Sequence, residues 1–209
     1  ILYDRQHRIS KKKVLLHTMK IQHRNIYKLT QGMIFAPSQC WREIQNKHTD
    51  TKAITRNYFV PVITLCSILY FPINLLNNPL LQAFGLAIIN FASSIIGLRL
   101  AYWLIREFLC NKLNCHAATA FNLTIYSATV FLLFHSLGAA FGNLFIGQLL
   151  TLCSFIFIRT LYNGINTLLD IPTNQKTNTL IIASLAIICF PIIISKLLMI
   201  IFRISAINV

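Results

Sequence analysis

Five long apolar stretches divide this 209-residue chain, and its lysines and arginines fall into alternate gaps between them. Twelve of the 19 basic residues precede the first stretch, whereas the first and third gaps contain none. A helix needs about 20 apolar residues to cross the ~30 Å hydrocarbon core of a bilayer. Lysine and arginine concentrate in the cytoplasmic segments of such proteins. The pattern therefore predicts a multi-pass membrane protein with a cytoplasmic N-terminus and, after five crossings, an external C-terminus.

The fold class predicted from these stretches is an all-α bundle of five transmembrane helices. We place the spans at Tyr58–Leu76, Ala83–Ile105, Ala118–Leu137, Gly142–Leu161 and Thr179–Phe202. A β-barrel also satisfies every backbone polar group in a membrane, but its strands alternate polar and apolar residues, and these stretches do not. Only 11% of the residues are charged, against about a quarter in soluble proteins. The net charge of +14 is explained by topology, so no nucleic-acid partner is expected.

Outside the spans, the chain divides into segments of different composition. The first methionine is Met19, and we expect residues 1–18 to be a non-native or disordered extension. Residues 19–56 are predicted to form a basic cytoplasmic region, residues 57–203 the five-span membrane domain and residues 204–209 a tail. The six cysteines lie within spans or on the cytoplasmic side, so we expect free thiols and no disulfide framework.

A short interfacial helix is predicted just before the first span, in the segment Ile34–Ile44. Pro37 interrupts the chain there, and Trp41 and Ile44 lie three residues apart, on one helical face, with charged residues on the other. Tryptophan is enriched at the membrane–water interface, so we expect the ring of Trp41 at headgroup depth.

The same segment resembles the opening motif of bacterial members of the Yip family, in which phenylalanine, a small residue and proline are followed by three residues and a tryptophan. In the third span, the pair Tyr126-Ser127 resembles a second family segment. Gly164, followed by Pro172 and Lys176, resembles a third. The likeness covers about residues 27–203, with departures at Asp170 and Ile171, where a basic residue and a threonine are usual. The candidate family-motif or interaction residues are Phe35, Pro37, Trp41, Tyr126, Ser127, Gly164, Pro172 and Lys176.

What the resemblance implies is a five-span fold and an adaptor role. The family is related to the eukaryotic Ypt/Rab-interacting membrane proteins, which bind small GTPases and vesicle machinery. It supplies no catalytic residue and no cofactor.

The chain offers little for catalysis or metal binding. Its five acidic residues all lie outside the predicted spans, so no intramembrane carboxylate pair is available as an acid–base couple or cation site. Ser127 and His135 lack an acid that could orient the histidine as a base, and we expect His135 to be a solvated side chain. Cys110, Cys115 and His116 supply three ligands where structural zinc takes four, so no metal site is expected.

The leading interpretation is a non-enzymatic scaffold or partner-binding protein of the cytoplasmic (inner) membrane. Its partners would be anionic lipid headgroups and an unidentified membrane or cytoplasmic protein, bound around Trp41 and the two basic cytoplasmic loops, which we expect at Arg106–Ala117 and Tyr162–Asn178. The alternative is a small transporter or channel that uses polar residues of spans two to four. A membrane-embedded enzyme is the third hypothesis. We expect those polar residues to serve helix packing, as in the Ser93-x3-Gly97 face. They are Asn90, Ser93, Ser94, Asn122, Thr124, Tyr126, Ser127, Asn143 and Gln148.

Overall fold

The computed structural model describes residues 26–46, 50–113, 115–142 and 144–204, and within them every regular element is a helix. The helices are α1 (residues 26–35), α2 (Pro37–Asn46), α3 (Thr51–Leu75), α4 (Leu80–Leu113), α5 (Ala117–Phe141), α6 (Phe145–Leu168) and α7 (Thr173–Ile201). The predicted extension at residues 1–18, all of the tail beyond residue 204, and Asn143 lie outside the described residues.

The five predicted spans are confirmed as α3 to α7, each long and apolar enough to cross a membrane. Some extend further than predicted: α4 has 34 residues and a length of about 51 Å, well beyond a ~30 Å core. The expectation of loops at Arg106–Ala117 and Tyr162–Asn178 is wrong, because only residues 114–116 and 169–172 separate the helices there. Hydropathy marks where the chain leaves the lipid, whereas a helix continues while its residues still favour it.

Successive spans alternate in direction, so their connections lie at two opposite ends of the bundle. We call one the basic end: it carries α1, α2 and the connections at residues 114–116 and 169–172. The short uncharged connections at residues 76–79 and 142–144 lie at the opposite end. The four acidic residues within the described part of the chain all lie at or beside the basic end of their helices: Glu43, Asp50, Glu107 and Asp170.

Helix α5 is the centre of the bundle. It contacts α3, α4, α7 and both halves of α6, and residues Leu123–Leu132 are all buried. A helix surrounded by other helices has no polar face, and most of its hydroxyl groups find partners within the protein. Thr124 and Thr129 do so by donating to the carbonyl oxygens four residues earlier, at 2.7 Å each.

Helices α4 and α7 form the most extensive helix pair, and a glycine allows their close approach. A Cβ atom on Gly97 would lie 2.5 Å from the Cα atom of Pro191 and 3.0 Å from the carbonyl carbon of Phe190. Ser93, one turn earlier, is also buried. The two small residues therefore bring the backbones of α4 and α7 into direct contact, in the manner of small residues in membrane helix pairs.

Two spans contain local irregularities. Residues Thr55–Phe59 of α3 form a π-helical turn that ends just before Pro61, whose ring nitrogen cannot donate a backbone hydrogen bond. Helix α6 is interrupted between Phe145–Cys153 and Ile156–Leu168, and the hydroxyl of Ser154 donates to a backbone oxygen at the break. The second half of α6 is the part that receives α2.

Candidate functional site

Trp41 fixes α2 to the bundle at the basic end. Its side chain has no exposed surface, and its indole Nε1 donates a hydrogen bond to the carbonyl oxygen of Thr160, 2.8 Å away. A buried tryptophan needs a partner for its N–H, and a helix carbonyl supplies one here. The side chain therefore combines a large buried apolar area with one directed polar contact.

Gly164 provides the space that the Trp41 ring occupies. A Cβ atom at this position would lie 2.7 Å from Cε2 and 2.8 Å from Cζ2 of Trp41, and 2.7 Å from Cδ2 of Leu123. These distances are below any normal carbon–carbon contact, so no other residue type fits without displacing the indole ring. The glycine makes a groove on α6 that matches the six-membered ring of the indole.

Two tyrosines of the spans continue the contact into the bundle. The ring of Trp41 meets Tyr126 of α5 edge-on, with 5.8 Å between centroids and 87° between planes. Tyr126 in turn packs against Tyr58 of α3, with centroids 5.1 Å apart. The hydroxyl of Thr30 on α1 donates to Tyr58 Oη at 3.3 Å. We call Trp41, Tyr58, Tyr126 and Gly164 the tryptophan cluster.

Polar contacts fasten α1 and α2 to the second half of α6. Thr160 Oγ1 donates to the carbonyl oxygen of Met33 at 2.9 Å, so the same residue accepts from Trp41 and donates to α1. Ser38 Oγ donates to Asn163 Oδ1 at 2.7 Å. The N-terminal helices are thus positioned by directed hydrogen bonds as well as by packing.

The structure joins the three sequence motifs at one place. Trp41, Tyr126 and Gly164 come from different motifs and are in direct contact. The expectation that Trp41 lies at headgroup depth stays a prediction, and the structure adds that its ring is covered by protein, because α2 packs onto α6. Pro37 is buried at the start of α2. Ser127 is buried in α5, and its hydroxyl has no partner in the described structure.

The remaining candidate residues lie away from the cluster. Phe35 ends α1 with 72% of its side chain exposed. Pro172 caps α7 and is exposed, and Lys176 is half-buried one turn further along. Within the described residues, no hydrogen bond or ring contact joins Pro172 or Lys176 to the cluster. These residues keep the status of candidates.

Several contacts that hold the cluster were not predicted from the sequence. Tyr58 was taken only as the start of a span, and neither Thr160 nor Thr30 was singled out. Their hydroxyl groups contact residues far away in the sequence, and no local pattern announces such a contact. A signal for Tyr58 was its position two residues after Arg56, since aromatic residues are enriched at the ends of spans.

The thiol of Cys40 faces the junction of α1 and α2. A Cβ atom on Gly32 would collide with its Sγ atom, so the thiol packs directly on α1. Burial raises the pKa of the Cys40 thiol, and the nearby carboxylate of Glu43 raises it further. Burial and Cys110 likewise raise the pKa of Cys115. Such thiols are poor nucleophiles and poor metal ligands at neutral pH.

Within the described chain, no three histidine, cysteine, aspartate or glutamate side chains come close enough to hold a metal ion. His135 is half-buried and stacks on Phe131 with 5.0 Å between ring centroids, unlike the solvated side chain that was expected. The cluster itself holds aromatic rings, hydroxyl groups and a glycine. Its chemistry is that of a packing and positioning site.

One group of polar residues inside the bundle forms hydrogen bonds across helices. Asn90 Nδ2 of α4 donates to Ser67 Oγ of α3 at 3.3 Å, and Ser136 Oγ of α5 donates to Asn90 Oδ1 at 3.2 Å. Ser94 Oγ donates to the carbonyl oxygen of Asn90 at 2.7 Å. One asparagine therefore links three helices, as polar side chains do in membrane bundles.

Comparison with known proteins gives one match. A family model described as the Yip1 domain matches residues 32–195, which is more than three quarters of the chain. The matched region begins within α1, contains the whole tryptophan cluster and ends within α7. No curated protein and no solved structure matches the chain.

Proposed function

The chain belongs to the Yip family of multi-pass membrane proteins, and from this membership and the docked N-terminal helices we propose that it is a non-enzymatic scaffold that binds a partner at its basic end. We assign it to the bacterial branch of the family and to the cytoplasmic (inner) membrane, with the basic end in the cytoplasm. The alternation of basic residues supports this orientation.

The observation that carries the proposal is an exposed aromatic residue on a rigidly held helix. Phe35 is 72% exposed and lies six residues before Trp41, which is fully buried. Tyr27, two turns earlier on α1, is 68% exposed. Exposed aromatic side chains on a fixed backbone are typical anchors of protein interfaces, since they bury much area at little cost in conformational entropy.

The basic end also carries exposed polar residues, and the rim of an interface is typically polar. Arg42 and Glu43 on α2 are exposed, and so is Pro172 at the start of α7. Trp41 and Gly164, which were first taken as contact residues, now act through the position they give to α1 and α2. The proposed partner surface is therefore Phe35 with Tyr27, Arg42 and Pro172.

Site-specific photo-crosslinking in cells tests this surface. A photoreactive phenylalanine at position 35 should give a discrete protein adduct that disappears when Arg42→Glu is added. Phe145 is the matched control, because it is the same residue type, is 78% exposed and lies at the opposite end. The proposal fails if positions 35 and 145 give the same adducts, or if position 35 crosslinks to lipid alone.

Photo-crosslinking together with a flux measurement separates the scaffold from a transporter or channel. Asn90, one of the polar residues that a conduit would use, is engaged in the Ser67–Asn90–Ser136 hydrogen bonds, which supports a packing role for it. A scaffold predicts that Asn90→Ala leaves the adduct at position 35 unchanged. A conduit predicts solute flux in liposomes that Asn90→Ala alters and Phe35→Ala does not.

A further inference from the structure

A cavity of about 440 Å³ lies between α3, α4 and α5 at the basic end. Its polar lining consists of Thr51, Lys52, Thr55, Arg99 and Tyr102. No acidic residue lines it within the described part of the chain. The nearest acid in the sequence, Asp50, caps α3 by accepting from the backbone nitrogen of Lys52. The cavity thus presents two cations and three hydroxyl groups, and no carboxylate faces them.

The depth of Arg99 makes its charge unusual. Trp103 is 60% exposed on the same helix, and we take it as the level of the membrane interface, where tryptophan is enriched. Arg99 lies four residues earlier, about 6 Å deeper into the membrane. An arginine at that depth is costly unless a partner or water neutralises it. The described structure gives its guanidinium no hydrogen bond or ion pair.

Snorkelling towards the basic end is hindered for Arg99 by the direction of α4. Cα–Cβ bonds tilt towards the N-terminus of a helix, and the N-terminus of α4 lies at the opposite end of the bundle. The side chain therefore starts out pointing deeper into the membrane. A partner inside the cavity would satisfy the guanidinium where it stands.

The rest of the cavity wall is apolar. Phe59, Ile95, Leu98, Phe121 and Ile125 line it. Tyr102 packs edge-on against Phe121, with 5.4 Å between ring centroids. The polar and apolar parts of the lining are therefore in contact. The volume lies within the ~300–1,000 Å³ range of small-ligand pockets. It suits a charged headgroup and glycerol unit whose acyl chains follow the apolar wall into the bilayer.

We propose that this cavity is a binding site for one anionic phospholipid, whose phosphate is held by Arg99 and Lys52. The lipid phosphate neutralises the arginine, and Thr51, Thr55 and Tyr102 surround the headgroup. The site is separate from the tryptophan cluster and does not depend on the scaffold role. It is a specific site, in contrast to the general attraction of a basic surface for anionic lipids.

Native mass spectrometry of the full chain released from detergent tests the site. The probes are phosphatidylglycerol and phosphatidylcholine with identical acyl chains. We expect one phosphatidylglycerol to stay bound preferentially, and Arg99→Gln or Lys52→Gln to weaken its binding about fivefold each. Arg106→Gln is the matched control, because it removes one arginine from the same helix outside the cavity, and it should leave the affinity unchanged.

Two further measurements test the site if Arg99→Gln fails to fold. Ile95→Trp fills the apolar wall without changing charge and should also release the lipid. Free glycerol phosphate should not displace the lipid, because it lacks the acyl chains. The proposal is overturned if Arg106→Gln weakens binding as much as Arg99→Gln, if phosphatidylcholine binds equally well, or if glycerol phosphate competes.

Discussion

Gly164 is the residue at which the smallest change should have a large effect. Gly164→Ala places a methyl group within 2.7 Å of the Trp41 ring and of Leu123. Overpacking of this kind costs about 1–3 kcal/mol. The gain in helix propensity from Gly to Ala, about 1 kcal/mol, offsets only part of it. We expect a lower midpoint in thermal unfolding of the detergent-solubilised protein, followed by tryptophan fluorescence.

A second substitution tests whether contact with Trp41 causes the loss of stability in Gly164→Ala. Trp41→Phe removes the part of the indole that carries Cε2 and Cζ2, together with the hydrogen bond to Thr160, which is worth about 1 kcal/mol. In the double variant the new methyl group meets less of the ring. The loss of stability of the double variant should therefore be smaller than the sum of the losses of the two single variants. Strict additivity of the two substitutions would contradict the contact.

Cys40 reports on the junction of α1 and α2 through its reactivity. Only the thiolate reacts with iodoacetamide, and burial and Glu43 raise the pKa of this thiol. At pH 8 we expect slower alkylation than for the same thiol in the unfolded chain, and faster alkylation in Glu43→Gln. Since the folded-state pKa is the higher one, this thiol stabilises the fold fully below its unfolded pKa, and the effect is lost as the pH rises through the folded value. An unchanged rate in Glu43→Gln, measured by peptide mass spectrometry, would refute the influence of the carboxylate.

At the scale of helices, the contact of α4 with α7 is the one most sensitive to volume. Gly97→Ala directs a methyl group at the backbone of Pro191, which cannot move aside as a side chain can. Gly85→Ala on the same helix meets only the tip of the Ile204 side chain, which can rotate away. We therefore expect Gly97→Ala to lower the midpoint of thermal unfolding clearly and Gly85→Ala to leave it nearly unchanged. Equal effects would mean that backbone contact does not limit this helix pair.

The helices also differ in how far the sequence predicts them. Hydropathy located α3 to α7 because crossing a membrane constrains about 20 consecutive residues. The docking of α2 is not local, since the hydrogen bond from Trp41 to Thr160 joins residues 119 positions apart. A lone tryptophan before a span is typical of an interface anchor. The family resemblance singled out Trp41 and Gly164, and only the three-dimensional structure shows that they touch.

The whole molecule concentrates its distinctive features at one end. The tryptophan cluster, the exposed Phe35 and the cavity with Arg99 all lie at the basic end. At the opposite end, the described connections are short and uncharged. A scaffold whose working surface faces one compartment would have this asymmetry, so the orientation of the bundle decides which compartment supplies the partner.

Cysteine accessibility measures that orientation. In a variant with all six cysteines replaced, Asn77→Cys and Asn174→Cys form a matched pair, because both asparagines are exposed and lie at opposite ends of the bundle. The positive-inside rule predicts that the basic end lies in the cytoplasm. A membrane-impermeant maleimide added to sealed right-side-out vesicles should therefore label Asn77→Cys at once, and Asn174→Cys only after detergent is added. Labelling in the opposite order would place Phe35 and the cavity outside the cell, and the search for a cytoplasmic partner would have to be abandoned.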